Sequence, residues 1–207
     1  MKAIFLDIDG VLNGDYLYTL PYRQQPRCQG YLGIGAAHVK LLAWIMEMSI
    51  DEFTERPKII LTSSWKYDYD DYMKDGYHNR IGKYLREHLR KFGIAIYETT
   101  TKYEPTHYQR GNGIRNYLKE HPEITSYAIL DDEYFRDYSG DDIVKHLVKT
   151  DYMQGLTVDK AIEAICILNN VSTTVIVPEI DKEEFAKLIS EANNERITGM
   201  VSSATDE

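Results

Sequence analysis

The sequence predicts a doubly wound α/β domain, a mainly parallel sheet with helices on both faces and no large cap domain. Three observations predict it. Short apolar runs recur along the chain, as buried parallel strands do. Segments with apolar residues at helical spacing alternate with them. Several of the runs end in Asp, Thr or Ser, at the carboxyl ends of strands where open α/β folds bind ligands.

Residues 2–6 (KAIFL) are the first apolar run and end at Asp7. Residues 13–34 break the rhythm with Tyr16, Tyr18, Pro21, Tyr22, Pro26 and several glycines. They read as an active-site loop or minimal cap with a small hairpin, since loops of this length in a domain are usually functional. A helix is expected from Gly35 to about Met48, where Val39, Leu42, Ala43, Ile45 and Met46 recur. A strand follows over 58–62, a short Tyr-rich helix over 68–74, and a clearer helix over 77–92 that Gly93 ends. Residues 94–97 are a strand, 98–111 a polar loop, and 113–121 a helix stopped by Pro122. Further strands are expected at 127–130 and 143–149, and a helix at 158–168. The catalytic domain thus spans 1–170. A strand and helix extend it over 171–201, and 202–207 read as a disordered tail.

A chain of 207 residues with 43% apolar content can bury one sizeable core. The N-terminus is too short and too acidic for a signal peptide, and no apolar run approaches the ~18 residues of a membrane span. A soluble cytoplasmic protein is expected, with no membrane partner. Cys28 and Cys166 have no metal-type spacing and read as reduced thiols. The six histidines form no zinc-binding pair. A net charge of −9 disfavours bulk nucleic-acid binding.

Three strand ends carry the chemistry: Asp7-Ile8-Asp9-Gly10, Thr62-Ser63-Ser64 and Asp131-Asp132. Gathered by a sheet, four carboxylates repel one another unless a cation sits among them. Mg²⁺ suits such hard oxygen ligands and keeps positions open for phosphate oxygens. Asp7 can face phosphorus as a nucleophile. Asp9, two residues on, can protonate a leaving oxygen and then activate water. Gly10 permits the tight backbone course beside them. Trp65 reads as packing beneath the second strand end, and the loop tyrosines as a rim.

With DIDGVL (7–12), IILTSS (59–64) and AILDDE (128–133) in this order, the chain resembles the haloacid dehalogenase (HAD) superfamily of phosphatases over about residues 1–168. LTSSWKY (61–67), RGNGIRNYLKEHPEI (110–124) and HLVKTDYMQGLT (146–157) are similar to a HAD branch in RNA-repair fusion proteins and small stand-alone bacterial or phage proteins. The resemblance implies a hydrolase of phosphoric monoesters with Mg²⁺ as cofactor. Asp7 would be nucleophile and metal ligand. Asp9 would be acid/base and lend its backbone carbonyl to the metal. Thr62, or Ser63 one register away, would bind a phosphoryl oxygen alongside Gly10. Asp131 and Asp132 would complete the metal site, Asp132 directly and Asp131 through water. The family's charge-neutralising lysine has no clean match. Arg110, 21 residues before Asp131, is favoured over Lys102, 29 before it.

No segment between the motifs is long enough for a cap domain, so the site should be open. A phosphorylated small molecule or a nucleic-acid end would fit as substrate, and an oligomer partner would have room to close the site. A phosphotransferase of the same mechanism and a low-turnover binding module on the same fold are the alternatives.

Overall fold

In the run KAIFL, successive side chains face opposite sides of the sheet, and both sides are apolar. That pattern suits a strand covered by helices on both faces. In the computed structural model, which describes residues 1–50, 55–75, 79–106 and 109–172, it forms β1, Lys2–Leu6. Ile4 and Leu6 join one core with Ile59, Leu61, Ala128 and Leu130. Ala3 and Phe5 join another with Ile60 and Ile129.

The other sheet strands are β4 (Lys58–Leu61), β5 (Ile96–Thr99), β6 (Ser126–Asp131) and β7 (Leu147–Lys149). Their order is β5-β4-β1-β6-β7, and all pairs are parallel. Leu6 lies opposite Leu61 on one side and Leu130 on the other. The residues after these three are Asp7, Thr62 and Asp131, so register alone brings the three motifs together. The chain travels outward from β1 to β5 and returns to β6 beside β1. The break in strand order between β1 and β6 is where such sheets open a crevice.

Between β1 and β4 the expected hairpin forms as β2 (Arg27–Cys28) paired antiparallel with β3 (Tyr31–Leu32), followed by α1 (Ala36–Met48). Then come α2 (Trp65–Asp75), α3 (Arg80–Arg90), α4 (Arg110–Glu120), α5 (Asp141–Val144) and α6 (Val158–Asn169). Leu42 and Ile45 of α1, Leu85 and Leu89 of α3, and Ala161 and Ile165 of α6 cover one face. Ile114 and Tyr117 of α4 cover the other. Full burial of each such aliphatic or aromatic side chain stabilises the fold by roughly 1.5–3 kcal/mol.

Several boundaries differ from the sequence expectation. Helix α2 starts three residues early because the Ser63 hydroxyl accepts from Trp65 N–H (3.4 Å), an N-terminal cap. Helix α3 starts late because the Asn79 side chain accepts from Ile81 and Gly82 N–H, both at 3.0 Å. The strand expected over 143–149 is two elements. The Gly140 carbonyl accepts from Ile143 and Val144 N–H, which turns that part into α5 and leaves only β7 extended. The extension expected over 171–201 and the tail at 202–207 lie, from residue 173 on, outside the described residues. Among the described residues no helix is long and apolar enough to cross a membrane.

Candidate active site

Asp7 leaves β1 with its N–H bonded to Leu130 O at 2.9 Å, which ties it to β6. Its carboxylate meets Arg110 Nη1 at 3.0 Å. The same nitrogen donates to Asp131 Oδ2 at 2.6 Å. Arg110 opens α4 and is nearly buried, with its guanidinium 4.4 Å from the Phe135 ring centroid. Burial opposes its charge, but Asp7 and Asp131 overcome that and hold its pKa above the ordinary value. Tyr138 donates to Asp131 Oδ2 as well (2.7 Å), and Glu133 N–H to Asp131 Oδ1 (3.0 Å). Both Asp131 oxygens are therefore engaged by protein.

One oxygen each from Asp7, Asp131 and Asp132 lie within 4.8 Å of one another. Burial, and then the Asp7 and Asp131 carboxylates, push Asp132 up to about 7. Asp131 is raised by burial and by Asp7, against Arg110. Octahedral Mg²⁺ holds oxygens at ~2.0–2.1 Å, which sets adjacent ligands ~3 Å and opposite ones ~4 Å apart. The 4.8 Å within which the three oxygens lie is near the spacing of opposite ligands, and hard carboxylate oxygens are what Mg²⁺ takes. The residues fit the ion.

Gly10 is required twice over. Its φ is +67°, and a Cβ there would lie 2.4 Å from Asp132 Cγ. Its carbonyl accepts from the Thr150 hydroxyl at 2.7 Å and its N–H donates to Asn13 Oδ1 at 3.0 Å. Asn13 Nδ2 in turn donates to Asp9 Oδ1 (2.9 Å), and Trp65 Nε1 to Asp9 Oδ2 (3.0 Å). Asp9 is thus gripped on both oxygens and aimed apart from the three-carboxylate cluster. Burial raises its pKa most, with Asp7 adding, while Asn13, Trp65 and Arg110 pull the other way.

Thr62 and Ser63 are fully buried. The Ser63 hydroxyl accepts from Trp65 N–H at the start of α2 (3.4 Å). The Thr62 hydroxyl has no hydrogen-bond partner. A buried polar group left unpaired costs about 1–3 kcal/mol, so such a group is often kept for a ligand. Of the two register alternatives, Thr62, one residue past Leu61, is the one whose hydroxyl lacks a partner.

Lys102 is not brought to the carboxylates. It lies on the exposed one-turn helix after β5, and its ammonium pairs with Glu98 at 2.7 Å. That turn sends the side chain back along β5, away from the ends of β1 and β6. The cation next to the site that sequence reasoning missed is Lys66. It is buried to 3%, pairs with Glu104 (2% exposed) at 2.7 Å, and donates to Thr62 O at 3.1 Å. Trp65 is a direct partner of Asp9 and more than packing. Asn13, Tyr138 and Thr150 were also missed. The one signal for Lys66 and Trp65 was their place directly after Thr62-Ser63-Ser64.

Beside Asp9 lies a cleft of about 490 Å³, bordered by Asn13, Tyr18, Tyr31, Trp65, Asp68 and Tyr152 among others.

No curated protein and no solved structure matches the chain. The family model described as the HAD domain in Swiss Army Knife RNA repair proteins matches residues 3–161, which contain all three strand-end motifs and every residue of the site just described. That match covers well over half of the 207 residues, and the chain belongs to this HAD family.

Proposed function

We propose that this protein is a Mg²⁺-dependent phosphomonoesterase that works through an aspartyl-phosphate on Asp7. Membership in the HAD superfamily supports phosphohydrolase chemistry in general. The observation that carries the finer reading is the buried, unpartnered hydroxyl of Thr62, whose N–H bonds to Leu6 O at the end of the strand that leads into Asp7. A phosphoryl oxygen is the acceptor it lacks.

An Asp7 carboxylate oxygen attacks phosphorus and the P–O bond to the leaving group breaks. Asp9 gives its proton to the departing oxygen. Asp9, now a carboxylate, takes a proton from water, and that water attacks the aspartyl-phosphate, releasing phosphate and restoring Asp7. Arg110 and the Thr62 hydroxyl stabilise charge on the equatorial oxygens. Ser63 stays a structural cap. Asp7 and Asp132 would hold Mg²⁺ directly, with the Asp9 carbonyl, and Asp131 through water, since its oxygens already serve Arg110, Tyr138 and Glu133. The ion would supply further neutralisation of the phosphoryl oxygens. The family's occurrence in RNA repair proteins supports a nucleic-acid end as one substrate, next to phosphorylated small molecules.

The test is hydrolysis of p-nitrophenyl phosphate with Mg²⁺ and with EDTA, in the native protein and in Asp7→Asn. Turnover should require Mg²⁺ and vanish in the variant. Wild-type turnover by Asp7→Asn would overturn the assignment.

A further inference from the structure

The residues that would handle the phosphoryl group do not line the cleft beside Asp9. Asp7, Thr62 and Arg110 are absent from its walls, whereas Asp9 borders it. Asp9 is the group that would protonate the leaving oxygen, so whatever is attached to that oxygen extends into this cleft. Its volume of about 490 Å³ falls within the ~300–1,000 Å³ of small-molecule sites.

The walls have two marked properties. Four aromatic side chains, Tyr18, Tyr31, Trp65 and Tyr152, line the cleft, and Tyr31 is 71% exposed at its lip. Flat rings with polar tips favour a planar ring between them. The charged groups on the walls are Asp9 and Asp68, and among the described residues that line it there is no lysine or arginine. Such walls accept hydrogen bonds from N–H groups and repel a second anion. Two of these groups are held in advance: Trp65 by Asp9 at 3.0 Å, and Asp68 by Asn79 Nδ2 at 2.7 Å. A preformed wall loses less on binding than one that must be ordered.

We propose that this cleft binds the leaving group of the substrate, and that this group is an uncharged planar ring bearing N–H donors, as in a nucleoside with an exocyclic amino group, joined to a single phosphate. The proposal rests on the phosphomonoesterase reading and adds the substrate class to it. Tyr31 supplies a stacking face at the lip, and Tyr18, whose ring already carries the Arg27 guanidinium at 5.5 Å from its centroid, offers its other face. Asp68 accepts from the amino group. The acidic walls reject a leaving group that carries another phosphate, so of the two substrate classes above the cleft selects the phosphorylated small molecule over a nucleic-acid end.

The experiment compares kcat/KM for adenosine monophosphate, ribose 5-phosphate and adenosine bisphosphate in the native protein, Tyr31→Ala and Asp68→Asn. One stacked base is worth ~1–3 kcal/mol, or about 5- to 150-fold. The native protein should prefer adenosine monophosphate over ribose 5-phosphate by about tenfold or more, and over the bisphosphate by a similar factor. Tyr31→Ala should shrink the first preference and Asp68→Asn the second. Equal use of all three substrates, or preferences untouched by both variants, would overturn the proposal while leaving the phosphatase reading intact. A second readout separates the two. Adenosine titrated into Asp7→Asn should quench tryptophan fluorescence, since Trp65 lines the cleft, and ribose should not. Quenching without any phosphatase activity in the native protein would overturn the phosphatase reading and keep the ring site. Absence of quenching at millimolar adenosine would overturn the ring site.

Discussion

Replacing Lys66 by Met removes one member of an ion pair that is almost completely out of water. The pair joins Lys66 and Glu104 at 2.7 Å, with side chains 3% and 2% exposed. Glu104 Oε1 also accepts from the Thr100 hydroxyl at 2.9 Å, while Oε2 already lacks a partner. Without Lys66 the Glu104 carboxylate keeps one neutral hydrogen bond in a buried site. Breaking such a pair costs about 3–5 kcal/mol, because the surviving charge stays buried and uncompensated. For a domain of this size each kcal/mol moves Tm by roughly 2–4 °C, so Lys66→Met should lower it by about 6–20 °C. Glu104→Leu should also destabilise the fold by stranding the ammonium, whose pKa burial lowers and Glu104 raises. The double variant Lys66→Met/Glu104→Leu replaces the pair with apolar groups of similar volume and should recover most of the loss. Urea or thermal unfolding followed by circular dichroism gives the cycle. A coupling energy below about 0.5 kcal/mol would refute the reasoning, since it is the limit for independent sites. The recovered double variant should still turn over phosphate esters more slowly, because Lys66 also holds the Thr62 carbonyl at 3.1 Å.

The remaining expectations concern the site and its supports. Thr62→Val removes an unsatisfied hydroxyl, so stability should change by less than about 1 kcal/mol. Turnover of p-nitrophenyl phosphate should nevertheless fall by about a hundredfold, the usual effect of losing one preorganised donor. Gly10→Ala should destabilise the fold by the ~1–2 kcal/mol of a left-handed non-glycine residue plus the displacement of Asp132, read as a lower Tm and weaker Mg²⁺ binding by calorimetry. His38 is buried, its Nδ1 is bonded to Leu156 O at 2.8 Å, and burial lowers its pKa below the ordinary 6.5. Below pH 6.5 the unfolded chain takes up a proton that the folded chain resists, so this contribution is complete above 6.5 and is lost as pH falls toward the folded value. The slope is at most about 1.4 kcal/mol per pH unit, or a Tm drop of roughly 3–5 °C. His38→Gln should reduce the slope; His146, whose pKa burial also lowers, adds in the same direction, and the raised Asp131 and Asp132 carboxyls act in the opposite one.

The parts of the fold legible in the sequence were those written in one short stretch. KAIFL followed by Asp-x-Asp-Gly states both a two-sided buried strand and a carboxylate pair. LDD at 130–132 does the same for β6. The shared register of Leu6, Leu61 and Leu130 then brings these local readings to one end of the sheet. What stayed hidden depends on contacts between distant elements. Lys66 reads as a helix-face lysine until Glu104, 38 residues away, is folded onto it. Trp65 reads as packing until Asp9 meets its indole N–H across 56 residues. Lys102 and Arg110 were both basic and lay 29 and 21 residues before Asp131, a spacing that favoured Arg110 only slightly. What separates them is that one lies on an exposed turn after β5 and the other at the start of α4, facing the ends of β1 and β6.

The loop over residues 13–34 shows how an open site is given a fixed wall. A free loop of that length would hold Tyr18 and Tyr31 loosely, and a cleft made from loosely held rings would select poorly. Its root is not free. Asp15 N–H bonds Tyr152 O at 3.1 Å and Tyr16 N–H bonds Met153 O at 3.0 Å. Leu156 N–H bonds Val11 O at 2.8 Å and Gly35 N–H bonds Leu12 O at 2.7 Å. Gly14 allows this approach, since a Cβ there would lie 2.9 Å from Tyr152 O. His38 seals the same junction by bonding Leu156 O while its ring meets Tyr16 edge-on, with centroids 5.2 Å apart. The segment after β7 therefore does two jobs: it contributes Tyr152 to the cleft and clamps the loop that contributes Tyr18. Protonating or removing His38 loosens both at once. A His38 variant should thus lose selectivity among leaving groups before it loses turnover of p-nitrophenyl phosphate, because Asp7 and Thr62 sit at strand ends and Arg110 at the start of α4, away from this clamp.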